Sequence, residues 1–164
     1  MAETLRTVAI LAAQPALNAL LGMVLAGAPN LRVRTFESEL TLQVYMRIAR
    51  VDLVVVDCDD IEVEALSLLR ADDGVESPGF RAIALSTEPS RDLKRRCDAA
   101  EVSEIVVKPM SPRYLLERVQ ARLREITPTA RPARPTPRQL VPLDFSQFAN
   151  VVPLWTKDRP RPVH

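Results

Sequence analysis

Five short β-rich runs, each followed by a stretch with helical spacing, restrict this chain to very few folds. The most telling run is the third, Val51-Asp-Leu-Val-Val-Val-Asp57. It is continuously apolar rather than alternating, the pattern of a strand covered on both faces, and it belongs at the centre of a sheet. Residues 7–11 form the first run; Leu31-Arg-Val-Arg-Thr-Phe36 alternates at period two, as an edge strand with one wet face does. Arg81–Leu85 and Glu104–Val107 supply the fourth and fifth. Between them, Pro15 fits the first turn of a helix with Leu17, Leu20, Leu21, Val24 and Leu25 at helical spacing, closed by Pro29-Asn30. Ser38 or Glu39 starts a second helix through about Ile48, Ile61–Arg70 gives a third, and Ser90–Ala100 a polar fourth. Pro112–Glu125 gives a fifth, with Leu115, Leu116, Val119 and Leu123 on one stripe. Such a rhythm predicts a doubly wound, five-stranded parallel sheet in a three-layer α/β/α arrangement, with right-handed crossovers. Its functional edge is expected outside the carboxyl ends of the strands.

After Glu125 the character changes. Eight of the fourteen prolines fall in residues 126–164, densest between Pro128 and Pro137. Residues 126–138 therefore read as an extended linker, because proline removes backbone donors and blocks helix. Residues 139–164 form a tail carrying Phe145, Phe148 and Trp155, apolar enough to act as anchors for a partner or for the domain itself. The net charge of +1 conceals an asymmetry: six cations against Asp144 and Asp158 give residues 126–164 a net +4, which leaves −3 for residues 1–125. The two parts are expected to meet different partners. Cys58 and Cys97 have neither CxxC nor histidine spacing, so they read as small buried or half-buried residues in a reducing compartment. No run is long enough to span a bilayer, and the N-terminus lacks the pattern of a signal peptide, so a cytoplasmic protein is expected.

Three strand ends carry the chemistry. Asp57 closes the third run, Ser86 follows the fourth, and Lys108-Pro109 follows the fifth. In this order the chain resembles a receiver domain of bacterial response regulators, of the chemotaxis type, over residues 6–125. The resemblance implies Asp57 as phosphoacceptor from a histidine kinase, with Ser86 and Lys108 as phosphoryl contacts and a cis Lys108-Pro109 peptide. Such chemistry is mainly positioning and charge neutralisation, which is why a carboxylate needs a hydroxyl and a cation beside it.

The departures from the family pattern are equally specific. Two acids that bind magnesium in receivers are replaced here by Ala12 and Ala13, and the aromatic switch position is Ile105. Asp59, Asp60 or Gln14 could offer partial coordination, but a hard cation needs several well-placed oxygens, so no magnesium and no resident cofactor is expected. Two roles stand open for Asp57: a phosphoacceptor of low activity, or the partner of Lys108 in an ion pair that closes the sheet edge. Ser86 likewise reads as a phosphoryl contact or a helix cap, with Ser90 the better cap.

The expected function is a non-enzymatic pseudo-receiver that signals by protein contact with a histidine kinase, another receiver or a motor-type target. The face expected to bind comprises residues 90–100, 104–107 and 113–125, with Ile105 and Tyr114. A second reading assigns the tail a ligand. Arg131, Arg134, Arg138, Arg159 and Arg161, with Trp155 and Asp158, resemble in composition the arginine-rich extensions with which some chemotaxis-type receivers bind cyclic di-GMP. A third keeps an ordinary phosphorelay receiver. DNA is not an expected partner, since the chain shows no appended recognition helix. His164 is terminal, and no Ser-His-Asp set, Walker loop, GxGxxG or HExxH is present, so an enzyme is not expected.

Overall fold

The computed structural model describes residues 4–71 and 79–126. The element order is β1 (Arg6–Leu11), α1 (Pro15–Ala26), β2 (Leu31–Phe36), α2 (Glu39–Met46), β3 (Leu53–Asp57), α3 (Ala65–Ala71), β4 (Arg81–Ser86), α4 (Arg91–Ala99), β5 (Glu104–Val107) and α5 (Pro112–Arg124). All strands pair in parallel in the order β2-β1-β3-β4-β5, so β3 is central and β2 is an edge.

Side chains alternate across each strand and divide the interior into two cores. Val8, Ile10, Leu53, Val55, Ile83 and Leu85 pack under α1 and α5 with Leu21, Leu25, Leu115 and Val119. Their neighbours Ala9, Leu11, Val54, Val56, Ala82 and Ala84 face the other way, under Leu42, Leu66, Leu69 and Cys97 of α2, α3 and α4. Alanine at three of these six positions lets that helix layer sit close on the sheet. On the first side the close approach comes from Gly22, where a Cβ would meet Thr35 Cγ2 at 3.1 Å.

Helix starts follow their local chemistry. Ser38, Ser90 and Ser111 each accept a hydrogen bond from the backbone N–H three residues on, at Thr41, Leu93 and Tyr114, while Pro15 and Pro112 occupy the first turns of α1 and α5. Of the two cap candidates, Ser90, the better one, caps α4, and Ser86 does not.

One boundary differs substantially. The third helix starts at Ala65, not Ile61. Ile61, Val63 and Ala65 are all buried, whereas Glu62 and Glu64 point outward to Arg96. Burial at period two cannot be satisfied by one helical face, so the chain stays non-helical until Ala65.

Candidate functional site

Parallel register brings the strand ends together, with Asp57 opposite Leu85 and Ser86 opposite Val107. Asp57, Ser86 and Lys108 consequently share one edge of the sheet, as expected. Asp57 is 1% exposed. Lys108 Nζ donates to Asp57 Oδ1 at 2.7 Å and pairs with Asp59 Oδ2 at 2.9 Å. The Lys108–Pro109 peptide is cis.

The most heavily bonded group at this edge is Asp59. Ser86 Oγ donates to Asp59 Oδ1 at 3.0 Å, Thr87 N–H contacts both carboxylate oxygens at 3.1 and 3.0 Å, and Thr87 Oγ1 donates to Oδ2 at 2.6 Å. Asp59 N–H in turn donates to Asp57 Oδ1 at 3.3 Å. Partial burial pushes the Asp59 carboxyl upward, but the hydrogen bonds from Thr87, Lys108 and Ser86 outweigh it and hold the group down at about 2. For Lys108, burial works against the charge and is overcome by its bonds to Asp57 and then Asp59, so its ammonium titrates above the ordinary value.

These contacts alter the expected donor set. Gln14 Nε2 donates to Asp60 Oδ2 at 2.7 Å. Ala12 is fully buried, and its carbonyl accepts from Asn18 Nδ2 at 3.2 Å. Both Asp59 oxygens are engaged as described, and only Asp57 Oδ2 is buried there without a hydrogen-bond partner among the described residues. Magnesium takes oxygen ligands in near-octahedral geometry, several of them usually waters, and of the Asp57 and Asp59 carboxylate oxygens only Asp57 Oδ2 is not already engaged by the chain's own donors. No three acidic, histidine or cysteine side chains converge as a metal set among the described residues.

Other reactive groups are subdued. Burial, followed by the neighbouring Cys97, Asp57 and Asp59, pushes the Cys58 thiol up to about 12; burial also raises Cys97. Thiols held protonated are poor nucleophiles. Both are free and at least partly buried, in keeping with a packing role.

Around the edge, Ile105 is half-buried against the α2-α3-α4 core, while Val107 and Tyr114 are exposed. Leu40, Val44 and Ile48, spaced four apart on and just after α2, and Leu68 on α3 are exposed as well, outside the face expected to bind. Beside Lys108, a groove of about 420 Å³ runs between α1 and α5, lined by Leu17, Leu20, Leu21, Pro109, Met110 and Leu115. Arg131, Arg134, Arg138, Trp155, Asp158, Arg159 and Arg161 lie outside the described residues, as do Phe145 and Phe148. Thr87 escaped the sequence reading, and Asp59 entered it only beside Asp60 and Gln14, as a group that could offer partial coordination where no magnesium is expected. The adjacent hydroxyls Ser86-Thr87, two loops away from Asp59, were the available signal.

A five-stranded parallel sheet in the order 2-1-3-4-5, with five helices, is the fold of response-regulator receiver domains. No family model matches the chain, and no curated protein matches it. Among solved structures it is similar to the chemotaxis protein CheY4 of Vibrio cholerae, at 20% identity and a TM-score of 0.63, over 72% of this chain and 98% of that one. A response regulator from Thermotoga maritima matches at 23% identity and a TM-score of 0.63, covering 73% and 98%. A putative pilus assembly protein from Burkholderia thailandensis matches at 16% and 0.59, covering 73% and 99%. At these identities the likeness establishes the fold.

No helix among the described residues is long and apolar enough to cross a membrane.

Proposed function

We propose that this chain is a receiver-type signalling module that acts by contact with a protein partner and is not switched by magnesium-dependent phosphorylation of Asp57. One observation carries this reading. The lysine and hydroxyl that would neutralise a phosphoryl group are already engaged by the chain's own carboxylates, Asp57 and Asp59. Phosphoryl transfer depends on unengaged positive charge and donors around the transferred group. Here one ammonium is divided between two carboxylates, and Ala12 and Ala13 bring no side-chain oxygen for a metal. Neighbours in fold carry names from chemotaxis and pilus assembly, which suits a module that passes a signal by contact. The partner is a kinase, another receiver or a motor-type target, and the module itself performs no catalysis.

The reading as an ordinary phosphoacceptor is favoured by the buried Asp57 Oδ2, which retains its lone pairs among the described residues. Incubation of the full chain with acetyl phosphate and millimolar magnesium, followed by intact mass measurement, separates the two. The proposed function predicts an unchanged mass; one added phosphoryl group, lost in Asp57→Asn, would sink it.

A further inference from the structure

We propose that the outer face of α2 is a self-association surface, on which two copies of this chain pack antiparallel about a twofold axis near Val44. The helix is apolar on both sides. Leu42 is fully buried, with Tyr45 and Met46 packed against the same core, yet Leu40, Val44 and Ile48 point to solvent at 64, 56 and 82% exposure. A surface helix ordinarily presents polar residues outward, and one that is apolar all round belongs between two layers. α4 follows the ordinary pattern, with Arg91, Lys94 and Arg95 exposed. The apolar outer stripe is thus particular to α2. Leu68 of α3, 67% exposed, extends the patch across a groove of about 320 Å³ lined by Glu39, Gln43, Leu68, Leu69 and Ala71.

Four aliphatic side chains, each more than half exposed, present roughly 400 Å² of apolar surface, the size at which a patch on a soluble protein marks a contact. Doubled by a twofold axis and ringed by polar neighbours, such a patch reaches about 1,000 Å² in all, where specific interfaces begin. A weak, concentration-dependent dimer follows. Charge selects a second copy as the occupant. Glu37 and Glu39 stand at the amino-terminal end of the stripe and Arg47 at its carboxyl end, all exposed. In an antiparallel pair Leu40 of one copy faces Ile48 of the other, Val44 faces its own equivalent, and each Glu39 comes beside the Arg47 of the opposite copy, as an isologous contact requires. A parallel pair would set acid against acid and arginine against arginine. Pairing through the β2 edge is disfavoured in the same way, because Arg32 and Arg34 are both exposed there. The stripe uses none of Asp57, Ser86 or Lys108, so this inference goes beyond the proposed function and does not depend on it.

Sedimentation velocity of the full chain at low ionic strength, from micromolar to millimolar concentration, should show the mass rising from one copy toward two. Val44→Glu, at the centre of the stripe, should weaken association by about tenfold or more, since it places two like charges at the axis. Unmoved Val8 and Val54 amides verify its fold; should Val44→Glu fail to fold, Leu40→Gln carries the same test. Glu39→Lys and Arg47→Glu should each weaken association several-fold, and their equimolar mixture should restore it, because opposite charges then meet at both ends of the antiparallel pair. A wild-type chain that stays single throughout the range, as it would were the stripe covered by another protein or by residues 139–164, overturns the proposal. Association that Val44→Glu leaves unchanged, or a mixture no stronger than the single variants, overturns it equally. Phosphorylation of the wild type in the mass assay would instead defeat the proposed function and leave this surface standing.

Discussion

β3 has an aspartate near each end, and the two are treated very differently. Asp52, just before the strand, accepts Thr7 N–H at 2.8 Å and pairs with Arg6 and Arg50, both at 3.3 Å. Two cations and an amide converge on that one carboxylate. Asp57, at the carboxyl end, shares a single lysine with Asp59 and keeps one oxygen without a hydrogen-bond partner among the described residues. Both are buried. The amino-terminal edge is thus built as a staple between β1 and β3, whereas the carboxyl edge holds more negative charge than positive. Burial of an acid does not by itself mark a site; the balance of its partners does.

Substitution at the two ends should expose this difference, beginning with the staple. Asp52→Ala removes the carboxylate partner of Arg50 and of Arg6, which keeps only its bond to Ile126 O, and leaves Thr7 N–H without its side-chain acceptor. It should destabilise the domain by about 3 kcal/mol in urea unfolding, the range for removing one partner of a buried pair. A loss as small as that of a surface pair would break the contrast. Lys108→Ala, which leaves two neighbouring carboxylates without a cation, should cost about 2 kcal/mol. Adding Asp57→Asn to it should restore part of that loss, and the double-mutant cycle measures the coupling. Asp57→Asn alone should cost no more than about 1 kcal/mol, since it also removes a charge from a crowded edge. If it proves as damaging as Asp52→Ala, the two ends are alike.

The smallest effect concerns acid. Asp59 titrates at about 2 in the folded chain, below its ordinary value of 3.8. Its contribution to stability is therefore complete above about pH 4 and is lost as pH falls toward 2. Asp59→Asn should flatten the stability profile across that window, as read by urea titrations at stepped pH, and leave it unchanged near neutrality in slope.

The sheet was legible because its signals are local. The unbroken run before Asp57 identifies a central strand, the alternation of residues 31–36 identifies an edge, and both stand where expected. Lys108, Ser86 and Asp57 could be placed together because a parallel sheet aligns its strand ends. The start of α3 was misread since Ile61, Val63 and Leu66 are compatible with a helix until burial at both Ile61 and Val63 is imposed. The partners of Asp59 were hidden for a different reason. Its hydroxyl partners lie 27 and 28 residues away and its lysine stands on a further loop, and nothing in Cys58-Asp-Asp-Ile61 distinguishes an aspartate that awaits a cation from one that has found a lysine and two hydroxyls. Asp52 escaped notice because an acid inside an apolar run shows nothing of the arginines at residues 6 and 50 that meet it.

Beryllofluoride, a phosphoryl mimic, added with millimolar magnesium to the wild-type chain gives the most direct test of a carboxyl edge closed by its own acids. Amide resonances of Asp57, Asp59, Thr87 and Lys108 should stay in place throughout the titration. A saturable shift of those four resonances, abolished by Asp57→Asn, would show an open and metal-competent phosphorylation site and contradict the account.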